Sequence, residues 1–184
     1  MPVFQKFATE AQIICNLLTG YTDLEVSLLN CVQVVRADFD AVLKAMFRVR
    51  GETNRVRIAD GLGLNGYRAL GLRAEFADAI LAIRHCVSIR NQFAHSVLWD
   101  DNSGRLAIAA LEDAAELDQE VSDFGSLPVY HIDVPLLTAQ ESYFCYTSDL
   151  LTWVNYQGRY LAGRLAQPYG SQPTKMQKPP KYLP

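Results

Sequence analysis

Three polar residues, Arg90, Asn91 and His95, stand at the end of a long helical pattern in this chain. Histidine titrates near neutral pH and can act as a general acid or base. Arginine offers a permanently charged, planar fork for phosphate oxygens. Asparagine can bind the phosphate or orient the histidine. Together they predict metal-independent RNA cleavage, in which the ribose 2′-OH is the nucleophile and the protein moves a proton and stabilises charge.

The helix that carries these residues is predicted from about Leu70 to His95. Projection at about 100° per residue places most of its apolar side chains on one broad arc, with Arg90 in the middle. An unpaired buried arginine is costly, so Arg90 is expected to meet a partner or to face a groove. A polar stripe runs beside the arc and consists of Arg84, Ser88, Asn91 and His95.

The same projection limits how these residues can act together. On an ideal helix Arg90 and His95 point about 140° apart. They converge on one site only if the helix ends or bends before His95, or if a second copy of the chain supplies a partner across a symmetry axis. Arg84 and Ser88 are expected to extend the site as contacts to the RNA backbone.

The pattern Arg90-Asn91-x-x-x-His95, late in a long helix of a helical bundle, resembles the R-x(4–6)-H motif of the HEPN superfamily (higher eukaryotes and prokaryotes nucleotide-binding). The resemblance covers roughly residues 1–96. It implies a metal-independent RNase without a cofactor, whose site lies in a cleft between two subunits, with Arg90, Asn91 and His95 as catalytic residues. Many members belong to toxin–antitoxin or antiphage systems, so RNA, a second copy and an antitoxin or other protein are the implied partners.

Two other functions stay open at this point. The first is a non-catalytic module that uses the bundle to dimerise or to bind a protein. It predicts that Arg90 and Asn91 form hydrogen bonds within their own chain and that His95 is buried or caps a helix. The second is a small-nucleotide-binding domain that uses the same residues.

The bulk composition is that of a globular protein, with 184 residues, 49% hydrophobic and 20% charged. No apolar run approaches the roughly 20 residues that span a bilayer, so no membrane association is expected. The N-terminal residues lack a secretory signal pattern. The four cysteines are widely spaced among apolar neighbours, which predicts reduced, buried thiols in a cytoplasmic protein and no metal site. These are Cys15, Cys31, Cys86 and Cys145.

The periodicity predicts an α+β fold that is mainly α: an antiparallel helical bundle, a small antiparallel hairpin or meander, and a C-terminal helix. We expect a single domain over residues 1–166, with the bundle at about 1–96, the strands at about 97–136 and the last helix at about 138–165. The Pro/Lys-rich segment 167–184 is predicted to be disordered.

Helix ends are predicted from glycines and caps. Gly20 would close a first helix, and Thr22 with Glu25 form a capping-box pattern that would open a second one. The glycines at 61, 63 and 66 are expected to break a short third helix, with no phosphate-loop role because no strand precedes them. An arginine cluster borders the connection between the second and third helices and is predicted to contact RNA or to form a solvated surface. It consists of Arg48, Arg50, Arg55 and Arg57.

Overall fold

A computed structural model describes residues 3–115 and 122–183. The fold is mainly helical with a three-stranded antiparallel sheet, which confirms the predicted α+β class. The helices are α1 (Val3–Lys6), α2 (Ala8–Val35), α3 (Phe39–Phe47), α4 (Glu52–Ala69), α5 (Arg73–Ala94), α6 (Leu111–Ala115) and α7 (Val134–Leu161), and the strands are β1 (Ser96–Asp100), β2 (Leu106–Ala110) and β3 (Tyr130–Ile132).

The described residues form two compact units that alternate along the sequence. The first unit takes the residues up to Thr19, Ser88–Tyr143 and those from Lys178 onward, and the second takes Gly20–Val87 and Phe144–Gln177. Both unit boundaries in the first half of the chain fall inside long helices, α2 and α5. The part of the predicted strand region at 116–121 lies outside the described residues.

The first unit contains the sheet, in the order β1-β2-β3. Leu98 pairs with Ile108 in the β1–β2 hairpin, and Leu106 pairs with Ile132 between β2 and β3. The pairing of β1 with β2 confirms the small antiparallel hairpin that was predicted within the strand region at about 97–136. Every residue of β2 is buried, as expected for a central strand covered on both faces.

The last helix begins earlier than the sequence pattern predicted. The Oδ1 atom of Asp133 accepts a hydrogen bond from the backbone N–H of Leu136 at 3.0 Å, so Asp133 caps the N-terminus of α7. The sequence pattern predicts a start at about residue 138, because Asp133 falls within the predicted strand region at about 97–136. The cap accounts for a start at Val134.

The C-terminal segment, for which the sequence predicts disorder, contains no helix or strand over 162–183. Its end nevertheless makes specific contacts in the first unit. Gln140 donates from Nε2 to the carbonyl oxygens of Pro180 and Lys181, at 2.9 and 3.1 Å. Tyr182 stacks on Tyr130 with ring centroids 4.3 Å apart. These contacts hold residues 180–182 against the start of α7 and the third strand.

The predicted break at Gly20 is wrong, because α2 continues through it to Val35. A glycine inside a helix costs about 1 kcal/mol relative to alanine. The burial of apolar side chains in the turns that follow, such as Leu24 and Leu28, outweighs that cost. Glu25 therefore does not act in a capping box; it lies within the helix and is buried.

The break that does occur lies after Val35. Asp38 takes an extended backbone conformation, and its side chain accepts a hydrogen bond from the N–H of Ala41 at 3.1 Å. This N-cap starts α3, which buries Val42 and Met46. The apolar positions from Leu24 to Met46, whose spacing predicts one long helix, are therefore divided between α2 and α3.

The predicted break at the glycines 61, 63 and 66 is also wrong, because α4 runs without interruption from Glu52 to Ala69. Gly63 lies on the buried stripe of this helix, and the ring of Phe76 occupies the space that a side chain would fill. Phe76 is fully buried and stacks on Tyr67 at 4.4 Å between ring centroids. Here glycine permits a close approach of a helix to an aromatic ring.

We expect Gly63→Ala to destabilise the protein relative to Gly61→Ala. A Cβ atom at Gly63 would lie 2.9 Å from Cε1 of Phe76 and closer to its Cζ, whereas one at Gly61 would meet open space. Such overpacking typically costs about 1–3 kcal/mol, while an exposed helical Gly→Ala change gains about 0.5–1 kcal/mol. Urea unfolding of both variants measures the difference. Equal stabilities would show that Phe76 does not constrain this position.

The cysteines were predicted to be buried, and this is correct for two of them. Cys31 and Cys86 are buried, and burial raises the pKa of each thiol to about 12. Cys15 and Cys145 are exposed, so for these two the prediction is wrong. Apolar neighbours in sequence do not place a residue on the buried face of a helix, because only every third or fourth position shares that face. In the described ranges, no helix is long and apolar enough to cross a membrane.

Candidate functional site

The end of α5 is fixed on both sides by backbone hydrogen bonds. The N–H of His95 donates to the carbonyl of Asn91 at 3.2 Å, which completes the last helical turn. The carbonyl of His95 accepts from the N–H of Leu111 at 3.0 Å, at the start of α6. Ser96 donates from its hydroxyl to the carbonyl of Gln92. His95 therefore occupies a defined position between the helix and β1.

Arg90 and Asn91 are brought together by the structure. Both are half-buried, and Arg90 donates from Nη1 to Oδ1 of Asn91 at 3.2 Å. Asn91 therefore orients the arginine, a role that the sequence had assigned to it only for histidine or phosphate. The buried apolar residues on either side of Arg90 include Ile89 and Phe93, which hold the backbone that carries it.

His95 is exposed and lines an open pocket of about 470 Å³. The pocket lies in the first unit and is formed by the helix end, the first residue of β1 and the short helix α6. Its lining residues are Ala94, His95, Ser96, Leu111 and Ala115. A volume in this range is typical of small-ligand pockets. Among these lining residues, the imidazole of His95 is the titratable side chain.

The structure groups the predicted site residues only in part. Arg90 and Asn91 are hydrogen-bonded to each other, but neither is among the residues that line the pocket of His95. Ser88 lies in the same unit as these three residues, and Arg84 lies in the second unit. Arg84 donates from Nη2 to Asp60 at 2.8 Å, and both side chains are partly exposed. An exposed ion pair of this kind contributes little to stability, so the guanidinium can exchange Asp60 for another anion at small cost. Ser88 is half-buried.

A buried amide pair behind the helix end is a feature that the sequence reasoning missed. Gln92 is almost fully buried and donates from Nε2 to Oε1 of Gln140 at 3.4 Å. Gln140 in turn binds the C-terminal segment through its own amide nitrogen. The pair ties the last turn of α5 to α7 within the first unit. A glutamine between two polar motif residues gave no signal in the periodicity, because it falls off the apolar arc.

His131 contacts the turn that joins β1 to β2. Its Nε2 atom lies 2.8 Å from Oδ2 of Asp101 in that turn. A hydrogen bond from Ser103, and to a smaller extent one from His131, holds the pKa of the Asp101 carboxyl below its usual range. This pair ties β3 to the hairpin turn. Within the described ranges, no three His, Cys, Asp or Glu residues are grouped so that they could hold a metal ion.

The predicted arginine cluster does not form one uniform surface. Arg55 donates from Nη1 to both carboxylate oxygens of Glu25, at 3.1 and 3.0 Å, and its guanidinium lies 5.2 Å from the ring centre of Phe47. Arg48, Arg50 and Arg57 are exposed. Arg55 is thus engaged in the second unit's own packing, whereas the other three remain accessible to a polyanion.

Comparison with known proteins returned no matching family model, no matching curated protein and no matching solved structure.

Proposed function

We propose that the end of α5 is the active site of a HEPN-like, metal-independent endoribonuclease. The observation that carries the proposal is the exposure of His95 in an open pocket directly after the helix that holds Arg90 and Asn91. His95 transfers a proton, Arg90 binds the phosphate, and Asn91 fixes the guanidinium through its Oδ1 atom. Ser88 and Arg84 are candidates for contacts to the RNA backbone.

The proposed reaction uses the RNA's own nucleophile. His95 takes the proton of a ribose 2′-OH, and the resulting oxygen attacks the adjacent phosphorus. The bond from phosphorus to the 5′-oxygen breaks, and that oxygen leaves with a proton supplied by an imidazolium. The products are a 2′,3′-cyclic phosphate and a 5′-hydroxyl. Arg90 stabilises the negative charge that develops on the phosphoryl oxygens.

Two proton transfers are required, and a second copy of the chain would supply the second histidine. Apolar side chains on either side of His95 support such an assembly: Val97 is 40% exposed and Leu111 is 42% exposed. Exposed apolar residues around a site are typical of interaction surfaces. In a symmetric dimer the same patch on both copies would meet, and each copy would bring one Arg90 and one His95 to the shared site.

Leu111→Asp tests this assembly. In a symmetric dimer the substitution places two like charges close together and removes apolar contact. We therefore expect the dissociation constant of the dimer to rise at least about tenfold. Val129→Asp is the matched control, because Val129 is also an exposed apolar residue, at 46%, in the same unit. Light scattering during size-exclusion chromatography reports the mass. A wild-type monomer at all concentrations would contradict the assembly.

The catalytic proposal is tested with a labelled RNA incubated with the purified protein in EDTA. We expect cleavage of the RNA and none of a DNA strand of the same sequence, because DNA lacks the 2′-OH. Cleavage that stops when EDTA is added would contradict the metal-independent mechanism. Intact RNA in all conditions, with folded protein, would contradict catalysis at this site.

One observation favours a second function, that of a non-catalytic interaction module that binds a protein or its own copy. Arg90 and Asn91 are bonded to each other within the chain, as that hypothesis predicts. The exposure of His95 is the observation that favours catalysis instead. Stable dimerisation together with intact RNA in the EDTA assay would favour the interaction module. A role as the toxin of a toxin–antitoxin pair would additionally require a partner that inhibits cleavage.

A further inference from the structure

The second unit contains a pocket of about 350 Å³ that belongs to neither the motif of α5 nor the RNase proposal. It lies between α2 and α7, with one residue of the segment that follows α7. Its lining residues are Ser27, Asn30, Leu151, Thr152, Asn155, Tyr156, Arg159 and Leu165. The lining is mixed polar and apolar and contains one formal charge, the guanidinium of Arg159.

Arg159 enters this pocket with most of its hydrogen-bonding capacity unused. Its Nε–H donates to Oδ1 of Asn155, one helical turn earlier, at 2.9 Å. Across residues 3–115 and 122–183, no carboxylate forms an ion pair with it. The Nη1 and Nη2 groups, which form the end of the guanidinium fork, therefore remain available. A fork of this kind binds a planar or tetrahedral oxyanion through two parallel hydrogen bonds.

Asn155 provides a second and independent indication of a ligand. The residue is buried, with only 8% of its surface exposed. The arginine side chain has donors only, so the amide atom that contacts it must be the acceptor Oδ1. This fixes the orientation of the amide and makes Nδ2 the atom that does not contact the arginine. Counting only the described residues, Nδ2 is buried and has no acceptor. Buried donors without an acceptor are rare in folded proteins because they are costly.

The rest of the lining supplies neutral polar groups. Ser27, Asn30 and Thr152 are half-buried, and in the part of the chain that the structure describes their side chains form no hydrogen bonds. Tyr156 stacks on Tyr169, with ring centroids 4.7 Å apart, and closes one side of the lining. One cation among hydroxyl and amide groups matches a ligand with one anionic group and a polar, uncharged remainder.

We propose that this pocket binds a small oxyanion, the carboxylate or phosphate group of a low-molecular-weight ligand. Two of its oxygens accept from Nη1 and Nη2 of Arg159, and one oxygen accepts from Nδ2 of Asn155 after a small rotation of the amide. Ser27, Asn30 and Thr152 hydrogen-bond to the neutral part of the ligand. The volume of about 350 Å³ is typical of pockets that bind molecules of metabolite size.

Calorimetric titration of the full chain with inorganic phosphate, and separately with acetate, tests the proposal. We expect saturable binding of one equivalent of at least one of the two probes, and the stronger probe identifies the anionic group. Arg159→Gln is expected to weaken binding at least about tenfold, the usual effect of losing a charge-assisted hydrogen bond. Asn155→Asp should abolish binding, because the new carboxylate would pair with Arg159 and repel the anion.

Arg57→Gln is the matched control, since Arg57 is an exposed arginine in the same unit outside the pocket lining. It should leave the affinity unchanged, and circular dichroism establishes that each variant is folded. Equal weakening by Arg57→Gln would mean that the anions bind to general positive charge and would overturn the proposal. Absence of saturable binding to the wild type at millimolar concentrations of both probes would also overturn it. If Arg159→Gln does not fold, Asn155→Asp decides the question alone.

Discussion

Replacing His95 with glutamine is expected to lower the rate of RNA cleavage by about 10²–10⁴-fold, the usual contribution of a general acid or base. Glutamine keeps a polar side chain of similar length but cannot exchange a proton near neutral pH. His95 is exposed after the last turn of α5, so the change removes no buried packing and should leave the free energy of unfolding within about 0.5 kcal/mol of the wild type. Initial rates in EDTA, with enzyme in excess over RNA, measure the loss.

His85→Gln is the control for this prediction. His85 lies on the same helix but in the second unit, and it is half-buried. We expect the cleavage rate of this variant to stay within about twofold of the wild-type rate, since the residue is not part of the site at the helix end. For comparison, a tenfold change in rate corresponds to about 1.4 kcal/mol in activation free energy. Equal loss in both variants would show that cleavage depends on the stability of α5 and not on the His95 imidazole.

Replacing Arg55 with methionine is expected to destabilise the protein by about 3 kcal/mol, the lower end of the range for breaking a buried ion pair. Arg55 binds both carboxylate oxygens of Glu25, whose side chain is only 6% exposed. Methionine preserves the apolar stem but leaves the carboxylate in a buried position without this cation. The lower end applies because the Arg55 side chain is 25% exposed and water can reach it in part. Urea unfolding measures the change.

Two further variants separate the ion pair from the arginine stem. The double change Glu25→Gln with Arg55→Met removes both charges, so it should recover a substantial part of the stability lost in the single variant. Arg57→Met, at an exposed position of the same helix, should change stability by no more than about 0.5 kcal/mol. An Arg55→Met effect as small as that of Arg57→Met would contradict the assignment of a buried pair.

The strands and α5 could be predicted from the sequence because their signals are local. The two apolar runs at residues 97–99 and 106–108 flank a polar loop, which is the pattern of a hairpin, and the two runs pair in the structure. The apolar spacing from Phe76 through Ile83 places one face of α5 in the core. In both cases a local apolar pattern with a clear boundary was sufficient.

The helix boundaries in the first half of the chain could not be predicted because they depend on packing between residues distant in sequence. Gly63 is compatible with a helix end or with close packing, and only the approach of Phe76 distinguishes the two. Glu25 is compatible with a capping box or with a buried ion pair, and its partner Arg55 lies 30 residues away. Local propensity is a weak prior when tertiary contacts of this kind are formed.

The candidate site was predictable in its residues and not in its geometry. The sequence indicated that a straight helix aims Arg90 and His95 in different directions, and the structure ends the helix at Ala94, just before the histidine. It could not indicate that Asn91 would bind Arg90, because neighbouring side chains on a helix usually diverge. The pocket beside His95 depends on Leu111, which reaches the helix end only through the hairpin.

The most direct test of the proposed site is the chemistry of its product. A short RNA and the same RNA with one 2′-deoxy substitution at the mapped cleavage position are incubated with the wild-type protein in EDTA, and the products are analysed by mass spectrometry. The mechanism predicts a 2′,3′-cyclic phosphate from the RNA and no cleavage at the substituted position. Cleavage at that position, or products that lack the cyclic phosphate from the first moments of the reaction, would contradict it.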